Sequence, residues 1–278
     1  MSFTILSPKV DFVFKKIFGS EENKSILISF LNATLKPKNE IISVELKNTD
    51  IEKDYIQDKF SRLDVKATTS NKEVINIEIQ LKNQYNMIKR TLYYWSKIYE
   101  EQISEGNNYK MLNRTVCINI LDYKFLKNNR FHNTYRLKEI ETNEELTDIE
   151  EIHFIEIPKL RQINKNDDVE MLELWIEFLR NPESEIIRDI EFKNNEIKKA
   201  KDKLYKVSQN KEDRELYFLR EKSIKDEISA LSNAKEEGEY NKAIEIAKKS
   251  IENGLDENLI SKLTGLDLKI IKELKSKA

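Results

Sequence analysis

Residues 62–82 read RLDVKATTSNKEVINIEIQLK and contain two runs in which apolar and polar residues alternate. A period of two is typical of β-strands that bury one face. The polar segment Ser70–Lys72 separates the runs, and Asn71 suits the positive φ angle that a tight turn needs. The stretch therefore predicts a β-hairpin with the alternate isoleucines, beginning at Ile75, on its apolar face.

The register of this hairpin follows from the alternation, because a slip of one residue would turn one apolar set to the wrong face. Only pairings centred on Asn71, or displaced from it by an even step, keep the apolar faces together. The centred pairing places Val65 opposite Ile77. It also places Leu63 opposite Ile79.

The same pairing sets two carboxylates, those of Asp64 and Glu78, opposite each other, with Gln80 one step along the strand. Opposed side chains have Cβ atoms about 4.5–5.5 Å apart, and like charges this close destabilise a sheet unless a positive group separates them. A divalent cation meets this need, and carboxylate oxygens suit Mg²⁺. The alternative is a solvated polar face that Lys66 and Lys82 neutralise. The spacing of the three residues on adjacent strands favours the metal site.

The composition fits a globular protein with no overall affinity for polyanions. The 278-residue chain has room for one large domain or two ordinary ones, and 39% hydrophobic residues suffice for a packed core. A net charge of −2 means that a nucleic acid would need a local basic patch. The single cysteine, Cys117, excludes an intramolecular disulfide and indicates a buried thiol. No apolar run reaches the ~18–20 residues of a membrane span, so we expect a cytoplasmic protein without membrane contact.

Helical spacing of apolar residues predicts helices at residues 8–18 and 21–35, before a first strand at residues 41–46. Ser7 is expected to cap the first helix. Asp11 lies near the start of this helix. Its carboxylate either interacts with the helix dipole or points at the proposed site, and both interpretations stay open.

A third helix is expected at residues 84–103, with Ile88 and Leu92 on a broad apolar face. Arg90 and Tyr94 lie four residues apart on the adjoining face and are therefore neighbours. Packing of the guanidinium on the aromatic ring explains this pair without a function. Contact with a DNA phosphate beside the carboxylates is the functional alternative.

Residues 114–121 and 153–157 predict two further strands, separated by an irregular excursion at residues 125–144. The excursion mixes basic and aromatic residues, which suits contact with single-stranded nucleic acid, although an ordinary amphipathic surface is as consistent. His132 and His153 have no ligand-like spacing, so we assign neither to a metal.

The alternating pattern ends near residue 167, and helical spacing replaces it. Gly and Pro are absent from residues 183–237, which predicts two long helices that form either a cover over the sheet or a dimerisation arm. Gly238 is expected to open a last unit that has the size of a helix-turn-helix. The lysines of its final helix either face a DNA groove or are simply solvated.

Three segments resemble the recombination-promoting nuclease and transposase family, which belongs to the PD-(D/E)XK nuclease superfamily. They are KVDFVFKKIFG at residues 9–19, RLDV…IEIQ at residues 62–80 and RTLYYWSKIYEEQISEG at residues 90–106. The tail NLISKLTGLDLKIIKEL is similar to the helical tail of many members. The resemblance covers residues 1–125 well and the tail loosely.

The resemblance implies an α/β fold, in which a restriction-endonuclease-like mixed sheet is flanked by helices and followed by an all-α C-terminal extension. The order of the expected elements agrees with such a fold. We expect a nuclease domain at residues 1–160, a helical arm at residues 161–237 and a small helix-turn-helix-like unit at residues 238–278.

The resemblance also implies roles for individual side chains in the hairpin. Asp64 stands at the metal-binding aspartate of the family, and Glu78 stands at the second acid, which shares the metal. Gln80 occupies the position where the superfamily usually has lysine. Without that lysine the site lacks a positive charge that could stabilise the transition state, and Arg90 is the candidate substitute.

Two helices complete the implied site. Arg90 and Tyr94 are similar to the Gln-x-x-x-Tyr motif of RecB-type nucleases, with Arg replacing Gln, and are expected to contact DNA. Asp11 lies where related enzymes often place an acidic residue.

The chemistry that this resemblance implies is metal-dependent hydrolysis of DNA phosphodiester bonds. The cofactor is Mg²⁺ or Mn²⁺, and the expected role is endonuclease activity in recombination, transposition or defence against foreign DNA. Two alternatives stay open. One is a catalytically inactive DNA-binding protein, and the other is a scaffold that forms homodimers through the helical arm.

Overall fold

The computed structural model describes residues 4–48, 64–83 and 86–276. The chain divides into two compact units, Met1–Phe218 and Leu219–Ala278. The first unit contains the sheet, and the second contains most of one long helix and two short ones. The three-part domain division that the sequence suggests stays a prediction.

The described residues of the first unit build a six-stranded mixed sheet with the strand order β1-β2-β3-β4-β6-β5. The strands are β1 (Val44–Leu46), β2 (Val65–Thr69), β3 (Val74–Gln80), β4 (Thr115–Leu121), β5 (His132–Lys138) and β6 (Glu145–Glu156). β4 is parallel to β3 and β6, and the other neighbouring strands are antiparallel. The expected mixed sheet is confirmed, although β5 lies where we expected an irregular excursion.

Helices flank this sheet and form the C-terminal region, as expected. They are α1 (Asp11–Phe18), α2 (Lys24–Leu35), α3 (Met87–Glu100), α4 (Met171–Arg180), α5 (Glu185–Ile190), α6 (Asn195–Gln209), α7 (Lys211–Glu252), α8 (Glu257–Thr264) and α9 (Leu268–Ser276). Among the helices within the described ranges, none has the length and apolar side chains needed to cross a lipid bilayer.

The β2–β3 hairpin has the register that the alternation predicts. Val65 pairs with Ile77, which is the pairing centred on Asn71. The expected pair of Leu63 and Ile79 cannot be compared, because Leu63 lies outside the described residues. The confirmed register keeps the apolar side chains of both strands on one face of the sheet.

The turn of this hairpin differs from the expected one. Lys72, rather than Asn71, has the positive φ angle, at 63°. The Lys72 amide donates to the Thr69 carbonyl at 2.9 Å, which closes the turn. The Asn71 side chain donates instead to the Asn39 carbonyl at 3.1 Å, so it anchors the turn to the preceding loop.

The first helix begins at Asp11 rather than at residue 8. Ser7 stabilises a turn that precedes the helix, because its carbonyl accepts from the Val10 amide at 3.3 Å. The helix ends at Gly19, as predicted. A Cβ atom at Gly19 would lie 2.9 Å from the Lys15 carbonyl oxygen and 3.3 Å from the Val65 side chain of β2, so a larger residue would force this helix end to shift.

β3 is buried on both faces, which its alternating sequence did not predict. Its isoleucines belong to the main core, whereas Asn76 and Glu78 on the opposite face are each 1% exposed. α3 covers this second face. The Thr91 hydroxyl of α3 donates to the Asn119 side chain of β4 at 3.0 Å.

α3 presents a different face to the sheet from the one that its hydrophobic pattern suggests. Ile88 and Leu92 are 53% and 44% exposed, contrary to expectation. The helix buries Met87, Thr91, Tyr94 and Ile98, and of these four Ile98 lies on the predicted apolar face. The sheet surface beneath it carries the polar side chains of β3 and β4, so polar and amphipathic residues of the helix satisfy that surface better than aliphatic ones.

The other face of the sheet carries the main hydrophobic core. The largest side chains in it include Trp175, Phe14, Phe18, Phe30 and Phe178. Each contributes roughly 1.5–3 kcal/mol or more by leaving water. α6 contributes Ile197, Leu204 and Val207 to the same core. α6 packs against α1 and α2, which contact the sheet, so this part of the region belongs to the helical layer around the core rather than to a free arm.

The two long helices expected at residues 183–237 correspond to α6 and α7, with the short α5 before them, and α7 extends beyond that range. α7 continues through Gly238, which was expected to open the last unit, because a glycine in a helix interior costs only about 1 kcal/mol. The later turns follow the sequence closely. Gly254 and Gly265 each have a φ of 72°, and Asp256 caps α8.

Strands β5 and β6 bring the two histidines into contact. His132 Nε2 lies 2.8 Å from His153 Nδ1, and His153 Nε2 lies 2.8 Å from the Glu151 carboxylate. Arg114 and Arg136 pair with the same carboxylate. Burial opposes ionisation of Glu151, but the His153 hydrogen bond and the arginines outweigh it and lower its pKa to about 2. The contact between the imidazoles is satisfied when one of the two facing ring nitrogens carries a proton and the other accepts its hydrogen bond.

We expect the stability of the protein to fall in mild acid because of His132. Burial, and then His153, lower the pKa of His132 from 6.5 to about 4. The unfolded chain therefore binds more protons than the folded chain between those values. The free energy of unfolding should drop by up to about 3 kcal/mol as the pH falls from about 6.5 to about 4.

Chemical denaturation at several pH values measures this effect. His132→Gln keeps a donor for His153 but cannot titrate, so its pH profile should be flatter in this window. Equal slopes for the variant and the wild type would assign the acid sensitivity to other groups.

Candidate active site

The carboxyl ends of β3 and β4 meet at one edge of the sheet, because these strands are parallel. The Asp122 amide, just after β4, donates to the Gln80 carbonyl at 2.9 Å. Lys9 forms an ion pair of 2.6 Å with the Asp122 carboxylate. Through Asp122, the segment before α1 is therefore held next to Gln80, at the carboxyl end of β3.

Asp64 directly precedes β2, and its carboxylate is held against β3. Its Oδ2 accepts a hydrogen bond of 2.7 Å from the Ile79 amide. After burial, the negative charge of Asp64 is the main cause that raises the pKa of Glu78, so the two carboxylates lie within each other's electrostatic field. The hydrogen bond fixes the Asp64 side chain before any ligand binds.

The Glu78 carboxylate is the most unusual group of the site. It is 1% exposed, and its Oε2 accepts from Arg90 Nη2 at 3.0 Å. Its Oε1 is buried and accepts no hydrogen bond from the described residues. Burial, and then the negative charge of Asp64, raise the pKa of Glu78 to about 8, although Arg90 acts in the opposite direction. Leaving a buried acceptor unsatisfied is costly, so the site is suited to a ligand that contacts Oε1.

Arg90 connects three other residues that the sequence singled out. Its Nη1 lies 3.3 Å from Gln80 Oε1, while Nη2 contacts Glu78. The guanidinium carbon lies 5.2 Å from the centre of the Tyr94 ring, which is buried. The packing and the functional interpretations of the pair are therefore compatible, because Tyr94 supports the guanidinium while its nitrogens contact the site.

Asp11 occupies the first turn of α1, where its Oδ1 accepts from the Phe12 amide at 2.9 Å. This contact is the one expected of an acidic residue that interacts with a helix N-terminus. The nearby Lys9 is tied to Asp122, so the start of α1 lies at the same edge of the sheet as Gln80. The role of Asp11 in the site stays a prediction.

Sequence reasoning gave no functional role to two further residues near the site. Lys82 follows β3, and its Nζ is buried. The alternation places it on the side of Glu78 and Gln80, a signal that we used only for charge neutralisation. Tyr123 had no comparable signal. Burial raises its pKa to about 12, and Arg90 partly opposes this, which places its hydroxyl in the field of the guanidinium.

The donor atoms suit a hard divalent cation. Asp64 and Glu78 supply carboxylate oxygens, and the free position at Glu78 Oε1 is buried. In the described part of the chain, no three His, Cys, Asp or Glu side chains are grouped so that they could enclose an ion. Mg²⁺ does not require such a group, because it is commonly bound by one or two carboxylates and retains several waters or phosphate oxygens.

Other reactive groups have structural surroundings. Cys117 is buried as expected, and burial, with Glu78 as a second cause, raises the pKa of its thiol, so it is a poor nucleophile. In the region that mixes basic and aromatic residues, Phe125 packs on Phe154 with ring centres 5.4 Å apart. Arg136 of the same region pairs with the buried Glu151. These contacts favour the structural explanation for both residues.

No curated protein and no solved structure matches the chain. A family model described as PD-(D/E)XK nuclease family transposase matches residues 8–234. The matched region includes the whole sheet, the helices that cover it, and the cluster of Asp64, Glu78, Gln80 and Arg90. The match confirms the resemblance seen in residues 1–125 and extends it to residue 234, whereas the tail lies outside the matched region. The chain therefore belongs to the PD-(D/E)XK nuclease family transposases.

Proposed function

We propose that this protein is a metal-dependent DNA endonuclease, in which Asp64 and Glu78 hold Mg²⁺ or Mn²⁺. Family membership supports a nuclease or transposase function in general. The metal site rests on one observation, the buried Glu78 Oε1 that accepts no hydrogen bond from the described residues, beside a second carboxylate that is already oriented. The cytoplasmic location suggested by the sequence and the role in recombination, transposition or defence stay predictions.

The carboxylates have distinct tasks in this proposal. Asp64 is preoriented by the Ile79 amide, so it loses little conformational freedom when it binds an ion. Glu78, whose pKa is raised by burial and by Asp64, would lose its proton to solvent when a bound cation balances its charge. The bound ion would polarise the phosphodiester and lower the pKa of the attacking water.

In this proposal, Gln80 and Arg90 together replace the lysine that the superfamily usually has at position 80. Gln80 orients a water molecule through its amide but carries no charge. Arg90 supplies the charge, because its Nη1 lies 3.3 Å from Gln80 Oε1. A guanidinium next to the reacting phosphate stabilises the negative charge that develops in the transition state. Lys82 is a second cation close to this position in the chain.

Two other functions retain support. A catalytically inactive DNA-binding protein is consistent with Gln80 at the usual lysine position. A homodimeric scaffold is consistent with α7, where Leu219, Ile228 and Leu231 are 67%, 47% and 49% exposed. Light scattering on the full chain separates the scaffold from the nuclease, because a monomeric wild type that cleaves DNA rejects the scaffold.

We expect Asp64→Asn to abolish Mg²⁺-dependent nicking of plasmid DNA while the protein stays folded. The asparagine side chain would keep an oxygen for the Ile79 amide and remove the repulsion that raises the pKa of Glu78. In metal-free buffer the melting temperature of the variant should therefore match or exceed that of the wild type. Added Mg²⁺ should stabilise only the wild type.

The matched control is Asp148→Asn, which removes an exposed carboxylate from β6. It should nick plasmid DNA and respond to Mg²⁺ as the wild type does. Equal nicking by Asp64→Asn and the wild type would refute the metal assignment. A wild type that binds Mg²⁺ and DNA without cleaving would favour the inactive alternative.

We expect Arg90→Gln to slow cleavage at saturating DNA by about 100-fold or more, because it removes the charge beside Gln80. Arg90→Lys should restore part of the rate, since it keeps the charge but loses the two-pronged contact. Single-turnover rates measure the step directly. Arg188→Gln, at an exposed arginine of α5 with a surface ion pair, is the control. A rate for Arg90→Gln equal to that of the control would leave Arg90 a packing role only.

A further inference from the structure

A row of hollows crosses the first unit beside Asp64. A hollow of about 550 Å³ lies between α1 and α6, one of about 180 Å³ lies between α1 and β2, and one of about 570 Å³ lies between β2 and α3. Neighbouring hollows share wall residues. Lys15 and Gly19 belong to the first and second, and Lys47 and Lys66 belong to the second and third. The hollows therefore form one trough, and Asp64 lies in the wall of its middle section.

Lysines dominate the charged groups of this trough. Besides Lys15, they are Lys16, Lys47, Lys66, Lys97, Lys203 and Lys206. The acidic residues in its walls are Asp64, Glu100, Glu101 and Asp213. The whole chain has a net charge of −2, so this local excess of lysine is a departure from the average surface. Polyanions respond to such local fields rather than to net charge alone.

Several of these lysines have partners that a phosphate can replace. The pairs are Lys47–Glu45, Lys97–Glu100 and Lys203–Glu22, with glutamate side chains 69%, 70% and 79% exposed. Ion pairs this exposed contribute about 0–1 kcal/mol. Exchange of the glutamate for a DNA phosphate therefore costs little. It also releases counterions from the DNA, which favours binding.

Lys16 and Lys66 have different surroundings. The partner of Lys16, Asp213, has a side chain only 9% exposed, and the Lys66 side chain is itself 13% exposed. Each lysine connects two elements of the fold across the trough. Lys16 of α1 pairs with Asp213 of α7, and Lys66 of β2 pairs with Glu101, which follows α3. They are wall residues. The glutamates in the three ion pairs described above are far more exposed, so their lysines are better placed to exchange a carboxylate for a phosphate.

We propose that the trough is the path along which the DNA backbone reaches Asp64. Lys203 and Lys206 of α6 contact phosphates on one side of the site, and Lys47 and Lys97 contact them on the other. The inference rests on the proposed nuclease function, because it takes Asp64 as the reaction centre. It adds the residues that position DNA there, through contacts that do not depend on base sequence.

The C-terminal helix α9 offers a rival surface. Lys269 and Lys272 are exposed on it, as a DNA-contacting helix would require. Lys275 of the same helix pairs with Glu257 at 2.8 Å, and Glu273 is also exposed. These acids reduce the local charge, so we assign the α9 lysines to ordinary solvated positions.

Binding of a short labelled DNA duplex, measured by fluorescence anisotropy at several salt concentrations, tests the path. Every protein carries Asp64→Asn, so cleavage cannot consume the probe. One double variant is Lys203→Ala with Lys206→Ala, and the other is Lys47→Ala with Lys97→Ala. The matched control is Lys269→Ala with Lys272→Ala. Melting curves check folding, and because the two trough pairs lie on different elements, one remains informative if the other misfolds.

Each trough pair should weaken binding by about tenfold and reduce the slope of log affinity against log salt by about 0.9 per lysine. The α9 pair should leave both quantities unchanged. Wild-type affinity and slope in both trough pairs, or a loss confined to the α9 pair, would overturn the proposal. Cleavage by the protein without Asp64→Asn is scored separately. Its absence would count against the nuclease function alone, and the binding results would still decide the path.

Discussion

The site depends on the burial of one carboxylate, that of Glu78, beside a second one. A buried negative charge is costly, and a like charge next to it adds to that cost. The surrounding structure offsets part of it, since Arg90 reaches Glu78 Oε2 and the Ile79 amide holds Asp64. The position of α3 follows from this requirement, because the helix must carry Arg90 to the sheet. The fold thus leaves the two carboxyl groups with too little positive charge around them, at the place where a cation is expected to bind.

The alternation of residues 62–82 was sufficient to predict the register of the hairpin and the common face of Glu78 and Gln80. It could not predict the burial of that face, because burial depends on α3, which packs there from a later part of the chain. The pattern of α3 was misleading for the same reason, since its buried side chains contact a sheet surface that mixes polar and apolar residues. Arg90 was singled out by spacing and resemblance, whereas its contacts with β3 required the structure.

Strand β5 illustrates a different limit of the sequence. Its residues HNTYRLK are mostly polar and alternate weakly, so its strand conformation depends on pairing with β6. That pairing creates the contact between His132 and His153, which lie 21 residues apart in the chain. Long-range pairing of this kind leaves no local signal. The C-terminal turns were more predictable, because Gly265 and Asp256 act through their own backbone and their immediate neighbours.

The hydrogen bond between Thr91 and Asn119 limits which substitutions the protein can accept near this site. Asn119 also donates to the His153 carbonyl of β6 at 3.1 Å, so a buried polar peg joins α3 to two strands. Replacing Thr91 alone leaves a buried Asn119 oxygen without this donor, whereas replacing both with apolar residues is far less costly. Replacing Asn119 alone is milder for α3, because the Thr91 hydroxyl also contacts the Met87 carbonyl at 2.9 Å. An all-apolar contact, however, would permit α3 to slide along its axis. An apolar residue at position 91 should therefore be accompanied by a change at position 119, and the two residues together help to hold α3, and with it Arg90, in place on β3.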